Sequence, residues 1–372
     1  MERIAIIAGE SSGDAIGNAL VTHLRSMRPN LQYFGIAGPL MRSVGVTPWF
    51  PTEKLSIMGF TDVLKKAFSL HAILRKTVHH ILQSDVKAVV TIDQPSFSIA
   101  LAKRLKAAGY AGKMIQIVAP SVWAYNPKRT ETVASSFDLL LLLYRFELDY
   151  FTGKLPCEWV GHPLIQSIPK PSQEEKTTLA LFPGSRPGEI KQNLPLQLAA
   201  ASTILKQFPQ LAVGISVADG LSESTRHFIE KTASKSLDTY TLAPYEERYA
   251  LMQRAKAALT KSGTVTLELA LLNVPFVCCY KVGKLTELYA RYILKIPPIS
   301  FALPNILARR SIFPECIIPP VSSEDLVRAI TPFLSGERKL PDLACLKEQI
   351  DPEEQPGARM ATAVCQSMGW LP

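Results

Sequence analysis

The chain has 372 residues, 47% hydrophobic and 20% charged, which is long for one hydrophobic core and excludes a disordered chain. Its 41 basic and 32 acidic residues leave a formal charge of +9, which suits phosphates, nucleic acid or an acidic membrane face. A mean hydropathy of +0.12 leans slightly towards an apolar ligand or a membrane surface.

Elements follow in chain order. Ile4-Ala5-Ile6-Ile7-Ala8 reads as the first strand of a cytosolic domain, too short for the apolar core of a signal peptide. Further strands are expected at 33–37, 88–92, 114–118, 139–143 and 158–160, then at 178–182, 211–217, 257–260 and 275–280. Amphipathic helical stretches lie between them, as at 96–108 and 265–272. Strand, helix, strand at this spacing predicts parallel sheets covered by helices, an α/β fold. The prolines and charges of 163–178 read as a linker between two Rossmann-like halves facing a cleft. Prolines 341, 352 and 356 break the polar C-terminal helices into short pieces. No apolar run reaches the roughly 18 to 20 residues of a bilayer span. The six cysteines have no C-x-x-C spacing, so neither a disulfide framework nor a zinc site is expected; Cys278 and Cys279 read as buried strand residues.

Several strand-end segments carry chemistry. Ala8-Gly9-Glu10-Ser11-Ser12-Gly13-Asp14 is a glycine turn opening a helix, suited to an anion; helix capping by Ser12 or Asp14 is the plainer reading. It matches neither the dinucleotide fingerprint nor the P-loop. Thr91-Ile92-Asp93-Gln94-Pro95-Ser96-Phe97 ends a buried strand on a carboxylate. Asp93 there is either a general base facing the ligand crevice or a helix N-cap. Pro120-Ser121-Val122-Trp123-Ala124-Tyr125-Asn126-Pro127-Lys128-Arg129 sets aromatics beside two cations, for a sugar and phosphate or as plain surface.

In the second half, Pro183-Gly184-Ser185-Arg186 and Ser262-Gly263-Thr264 are both turns at helix starts, and together they favour a nucleotide diphosphate. Glu268, one turn after Thr264, is placed to accept ribose hydroxyls. Asn305, in Leu303-Pro304-Asn305, either touches a ligand or makes a turn. From Met58 and Phe60 through Val63, Leu64, Phe68, Leu70 and Leu74, apolar residues alternate with basic ones. That pattern fits an interfacial helix on anionic lipid, or a helix packed on its own core. There is no catalytic triad motif, no H-E-x-x-H and no Asp-x-Asp pair, so a metal-free and cofactor-free reaction is expected. The basic residues are spread rather than clustered, so nucleic acid is not the expected partner.

Taken in order, these motifs resemble the lipid-A-disaccharide synthase family from about residue 4 to about residue 310. The resemblance rests on Ala8 to Asp14, Ile92 to Phe97, Pro120 to Ala124, Gly161-His162-Pro163, Pro183 to Arg186, Ser262 to Glu268 and Leu303 to Leu307. It implies a glycosyltransferase B-type fold, with an acceptor and lipid domain at 1–165 and a UDP-sugar domain at 166–345. Residues 346–372 would pack back on the first domain or on a partner chain. It implies an inverting hexosyltransferase that joins UDP-2,3-diacylglucosamine to 2,3-diacylglucosamine 1-phosphate, giving the β-1,6-linked disaccharide 1-phosphate and UDP.

By resemblance, Asp93 is the base, and Glu10 and Ser12 are essential residues of the first loop. Gly184, Ser185, Arg186, Ser262, Gly263, Thr264, Glu268 and Asn305 hold the UDP-sugar. Ser121, Trp123, Lys128 and Arg129 face the acceptor and its phosphate. The apolar-basic stretch meets lipid. A homodimer and peripheral attachment to the inner face of the cytoplasmic membrane are also implied. The chain departs from its relatives at Tyr125-Asn126-Pro127 and at Cys316-Ile317-Ile318. The alternative is a soluble UDP-sugar enzyme of the same fold, such as a UDP-N-acetylglucosamine 2-epimerase, which needs no lipid contact.

Overall fold

A computed structural model describes residues 2–52, 55, 63–122, 129–280, 300–317 and 321–370, with the side chains of 63–69 outside the description. The chain divides into two compact units, one of residues 1–166 with 347–372, the other of 167–346.

The first unit alternates strand and helix. It runs β1 (Arg3–Ala8), α1 (Ser11–Met27), β2 (Gln32–Ala37), α2 (Pro39–Ser43), β3 (Thr47–Pro51), α3 (Val63–Gln83), β4 (Ala88–Ile92) and α4 (Pro95–Ala107). It continues with β5 (Lys113–Ile117), α5 (Arg129–Ser136), β6 (Leu139–Leu142), α6 (Leu148–Phe151), β7 (Cys157–Trp159) and α7 (Leu164–Ser167). The strands pair in parallel in the order β3-β2-β1-β4-β5-β6-β7. Helices on both faces bury the central strands, so β4 and β6 are apolar and buried at almost every position. Helix α1 places Ile16, Leu20, Val21 and Leu24 on one stripe against the sheet.

The second unit repeats the plan. It contains β8 (Thr178–Phe182), α8 (Pro187–Gln207), β9 (Ala212–Val217), α9 (Glu223–Ser236), β10 (Thr241–Pro244), α10 (Arg248–Arg254) and β11 (Ala255–Lys261). Then come α11 (Thr264–Leu271), β12 (Phe276–Cys279), α12 (Leu303–Leu307), β13 (Glu315–Cys316) and α13 (Ser323–Leu334). Its parallel sheet has the order β10-β9-β8-β11-β12-β13. Cys278 and Cys279 are buried in β12, as the sequence suggests.

Helix α14 (Ala344–Ile350) leads back to the first unit, which α15 (Pro356–Ser367) completes by packing on α1. There the His162 N–H donates to the Ile350 carbonyl at 2.9 Å, and His23 Nε2 lies 2.9 Å from Gln355 Oε1.

Each sheet reverses its strand order once, between β1 and β4 and between β8 and β11. In open parallel sheets a crevice forms there, beyond the carboxyl ends of the strands, because the crossovers on either side depart in opposite directions. The turns that leave β1, β4, β8 and β11 are the ones singled out by the sequence.

Several expectations change in detail. Three strands went unforeseen, β3, β10 and β13, and all lie at sheet edges. Asp14 does not cap its own helix. Its carboxylate accepts the N–H groups of Gly38, Leu40 and Met41 at 2.9 to 3.1 Å and so caps α2. Burial raises its pKa against the pull of those donors. Leu74 is 6% exposed and sits in the core, with half-buried Leu70 packed against it, so Leu74 is not lipid-facing. Val63, Leu64 and Phe68 lie on α3, while Met58 and Phe60 lie outside the described residues.

Candidate functional site

At the switch point of the first unit two turns meet. Glu10, half-buried, takes the cap position of α1 with an extended backbone, and Ser12 is exposed in the first turn. The Gln94 carboxamide crosses over Gly9: a Cβ there would lie 2.3 Å from the carboxamide carbon and would push that side chain aside. The cap position of α4 falls to Gln94, not Asp93.

The backbone here is strained. Asp93, Gln94 and Val118 have φ of 56°, 47° and 73°, in the left-handed region. For a β-branched residue such as Val118 that is a real outlier, and each such residue costs about 1–3 kcal/mol. Hydrogen bonds hold it. The Asp93 N–H donates to Ile117 O at 3.0 Å, the Val118 N–H to Leu141 O at 3.0 Å, and Ser98 Oγ to Asp93 O at 2.8 Å. A buried amide, Gln116, lies beneath both turns. Its Nε2 donates to Ile117 O at 2.8 Å and Val118 O at 3.0 Å, with Asp93 O at 3.3 Å, and its Oε1 accepts from Thr91 Oγ1 at 2.6 Å. Sequence reasoning missed Gln116. The available signal was a lone amide inside the apolar run Met114-Ile115-Gln116-Ile117, beside a lone Thr91 in the next strand.

Between α4 and α5 an open cavity of about 420 Å³ is lined by Pro95, Ser96, Ile99, Lys103, Arg129 and Thr132, among others. Among the described residues no carboxylate lines it. Arg129 Nη2 lies 3.4 Å from Ser96 Oγ, so α4 and α5 together present two cations and two hydroxyls. Ser121 is exposed after Pro120, whereas Trp123 and Lys128 lie outside the described residues.

A second buried polar cluster adjoins this edge. Tyr144 stacks on Phe146 with ring centres 6.1 Å apart, and the His162 ring lies 5.9 Å from it. The Tyr144 phenol is pushed up by burial and then by the charges of Glu147 and Asp93. The buried Glu147 carboxyl accepts the Tyr144 N–H at 3.1 Å through Oε2, while among the described residues Oε1 has no hydrogen-bond partner. Burial pushes Glu147 up to about 8 and His162 down to about 4, so both are neutral at pH 7.

The second unit's switch point is built from ion pairs. Gly184 has φ of 125°, and a Cβ there would lie 2.8 Å from Glu189 Oε2, so both the conformation and the close approach require glycine. Glu189 Oε1 bridges Arg186 Nη1 at 3.4 Å and Lys261 Nζ at 3.0 Å. Arg186 is exposed at the cap position of α8. Lys261 was not assigned a role from sequence; it ends β11, with its ammonium 5.1 Å from the Tyr280 ring centre.

Beyond β11, Ser262 Oγ donates to Phe301 O at 2.6 Å, and Thr264 opens α11 after Gly263. On α11, Glu268 Oε1 accepts the Tyr249 hydroxyl at 2.9 Å and lies 3.5 Å from Arg248 Nε. The Arg248 guanidinium lies 4.1 Å from both the Tyr245 and Tyr249 rings. Asn305 is 1% exposed and its amide is fully engaged: Oδ1 accepts from Ile312 and Phe313 N–H groups, and Nδ2 donates to Phe313 O and Glu315 Oε1. Its visible task is to fasten this loop. Glu315, also missed from sequence as a site residue, accepts the N–H groups of Phe301 and Ala302 and completes the clasp. Among the described residues no group of three or more His, Cys, Asp or Glu is placed to hold a metal ion.

In chemical terms the first unit offers a half-exposed carboxylate on a rigid turn and, between α4 and α5, a cavity with two cations. The second offers cations and glycine turns at two helix starts. Comparison with known proteins fits this pair. The sequence model of a family described as lipid-A-disaccharide synthetase matches residues 4–363. A lipid-A-disaccharide synthase of Azotobacter vinelandii is 32% identical over 89% of this chain and 89% of its own. One of Chlamydia pneumoniae is 35% identical over 83% of this chain but 53% of its own, so the chain spans about half the length of that relative. Among solved structures, a UDP-GlcNAc 2-epimerase of Methanocaldococcus jannaschii in complex with UDP-GlcNAc and UDP superposes with a TM-score of 0.62. It covers 98% of this chain and 99% of its own at 13% identity, a likeness of fold alone.

Proposed function

Because the chain belongs to the lipid-A-disaccharide synthetase family, we propose that it is an inverting glycosyltransferase of lipid A assembly. The donor is UDP-2,3-diacylglucosamine and the acceptor 2,3-diacylglucosamine 1-phosphate. Asp93 takes the proton of the acceptor 6-hydroxyl, and that oxygen attacks the anomeric carbon of the donor. The bond from that carbon to the UDP oxygen breaks on the opposite face, giving the β-1,6 linkage. Arg186, Lys261 and the N–H groups at the starts of α8 and α11 stabilise the charge that develops on UDP. Glu268 holds the ribose, and Arg129 with Lys103 and Ser96 holds the acceptor phosphate.

One observation carries this reading: the motifs flank the strand-order switch point in both sheets of a chain the family matches nearly throughout. Rigidity at Asp93 supports it further, since a base is most effective when held in its productive direction. Glu10 and Ser12, on the neighbouring turn, face the same crevice.

The lipid substrates place the protein at an anionic membrane surface, with the stretch from Met58 to Leu70 as the contact and the +9 charge favouring approach. Among the described residues no helix is long and apolar enough to cross a membrane. We extend the proposal to a homodimer formed through C-terminal segments. The epimerase reading keeps only the fold likeness in its favour.

The test mixes the purified protein with both diacylglucosamine substrates and a chelator, and follows UDP release and product mass. The expected product is a tetraacyl disaccharide 1-phosphate. Interconversion of UDP-N-acetylglucosamine with its 2-epimer, and no disaccharide, would establish the alternative.

A further inference from the structure

We infer that Gln116 is a positioning residue for Asp93, locking the turns after β4 and β5 into one register. The inference rests on the glycosyltransferase reading above, because it concerns the direction of the base.

An amide in the middle of a buried parallel sheet is unfavourable unless its hydrogen-bonding groups are satisfied. Gln116 is 1% exposed and is satisfied in a particular way. Its carboxamide oxygen accepts from Thr91 on the neighbouring strand, at the position directly paired with it. Its nitrogen faces three carbonyls, those of Ile117, Val118 and Asp93. Two of the three belong to residues with positive φ, each the first residue past the end of its strand. In a regular strand end these carbonyls would find other partners, and an apolar residue would fill the position. Here one side chain serves two irregular turns at once, and one of them carries Asp93.

The third neighbour is Ser98, whose hydroxyl makes the shorter bond to Asp93 O, 2.8 Å against 3.3 Å. Ser98 therefore retains the Asp93 carbonyl on its own helix when Gln116 is removed, and the Asp93 N–H keeps its bond to Ile117 O, while the side-chain tie between the Asp93 and Val118 carbonyls is lost. Removing Gln116 should therefore redirect the base rather than unfold the turn.

The test compares wild type, Gln116→Met and Thr91→Val in the disaccharide assay, at temperatures where melting curves show each folded. Gln116→Met keeps the length and removes every hydrogen bond of the amide; Thr91→Val removes only the one its oxygen accepts and leaves the amide nitrogen facing the three carbonyls. The expected result is a fall in kcat of about tenfold or more for Gln116→Met and a smaller fall for Thr91→Val. KM for UDP-sugar should stay within about twofold, since that site belongs to the other unit. If Gln116→Met fails to fold, Thr91→Val carries the same test. A folded Gln116→Met, or in its absence Thr91→Val, with undiminished kcat overturns the inference, as does a loss confined to thermal stability. A wild type that makes no disaccharide overturns the underlying reading and this inference with it.

Discussion

The two switch points solve different problems with different materials. In the first unit the site is made of side-chain-bearing residues in left-handed backbone, Asp93, Gln94 and Val118, pinned by buried hydrogen bonds. In the second it is made of a glycine turn and a carboxylate shared between Arg186 and Lys261. Strain held by a buried network gives direction; glycine and two cations, one of them exposed, give charge and access. A proton acceptor needs direction, and a diphosphate needs charge.

The sharpest way to separate the two is Asp93→Asn. Turnover should fall by roughly 10²–10⁴-fold while UDP binding is unchanged, because the base is lost and the nucleotide site is not touched. Weakened UDP binding in that variant, measured by titration calorimetry, would break the division of labour. Arg186→Ala should do the reverse, weakening UDP binding about tenfold through loss of a charge-assisted contact. An unaltered dissociation constant would remove Arg186 from the nucleotide site.

The third effect concerns stability and pH in the first unit. Folded Glu147 is pushed up to about 8 from an ordinary 4.5, and folded His162 down to about 4 from 6.5. Between about pH 6.5 and 8 the folded chain keeps the Glu147 proton and the unfolded chain has released it. Stability therefore falls as pH rises, by about 1 kcal/mol per unit. Between about pH 4.5 and 6.5 the unfolded chain also binds a proton on His162 that the folded chain refuses, and the two trends cancel. Glu147→Gln should flatten the decline above pH 6.5 in urea unfolding of the full chain. A decline as steep as that of wild type would mean that Glu147 does not cause it. Smallest of all is Val118→Gly. Relief of a positive φ and the extra freedom of glycine in the unfolded chain oppose each other, so stability should move by about 1 kcal/mol or less. A loss of several kcal/mol would show that the Val118 side chain, not its backbone, matters there.

The fold class was legible from the alternation of apolar runs and amphipathic stretches, since strands buried on both faces must be apolar. The strands that escaped notice are all edge strands, where one side needs no partner and the pattern relaxes. Thr47-Pro48-Trp49-Phe50-Pro51 holds two prolines, which a central strand would not tolerate. Thr241-Leu242-Ala243-Pro244 ends on one, and β13 is two residues long. The strand-end motifs were legible because glycine and carboxylate at a strand end have few other uses. Their supports were not. Gln116, Glu147 and Glu315 are single polar residues in otherwise ordinary contexts, and their meaning comes from carbonyls and N–H groups that only the folded turns bring near. Asn305 was left open between a ligand contact and a turn. A polar residue without a pattern drew attention as a ligand contact, and the structure gives its whole amide a task within the loop.

The division of the chain has a consequence for synthesis. Residues 167–346 make up one continuous unit, whereas the unit carrying Asp93 joins 1–166 to 347–372. Helix α15 lies on α1, and the Ile350 carbonyl holds His162. On the ribosome the second unit can close first, while the sheet made earliest waits, with one flank of α1 uncovered, for a helix translated some three hundred residues later. The half of the protein begun first is the half finished last.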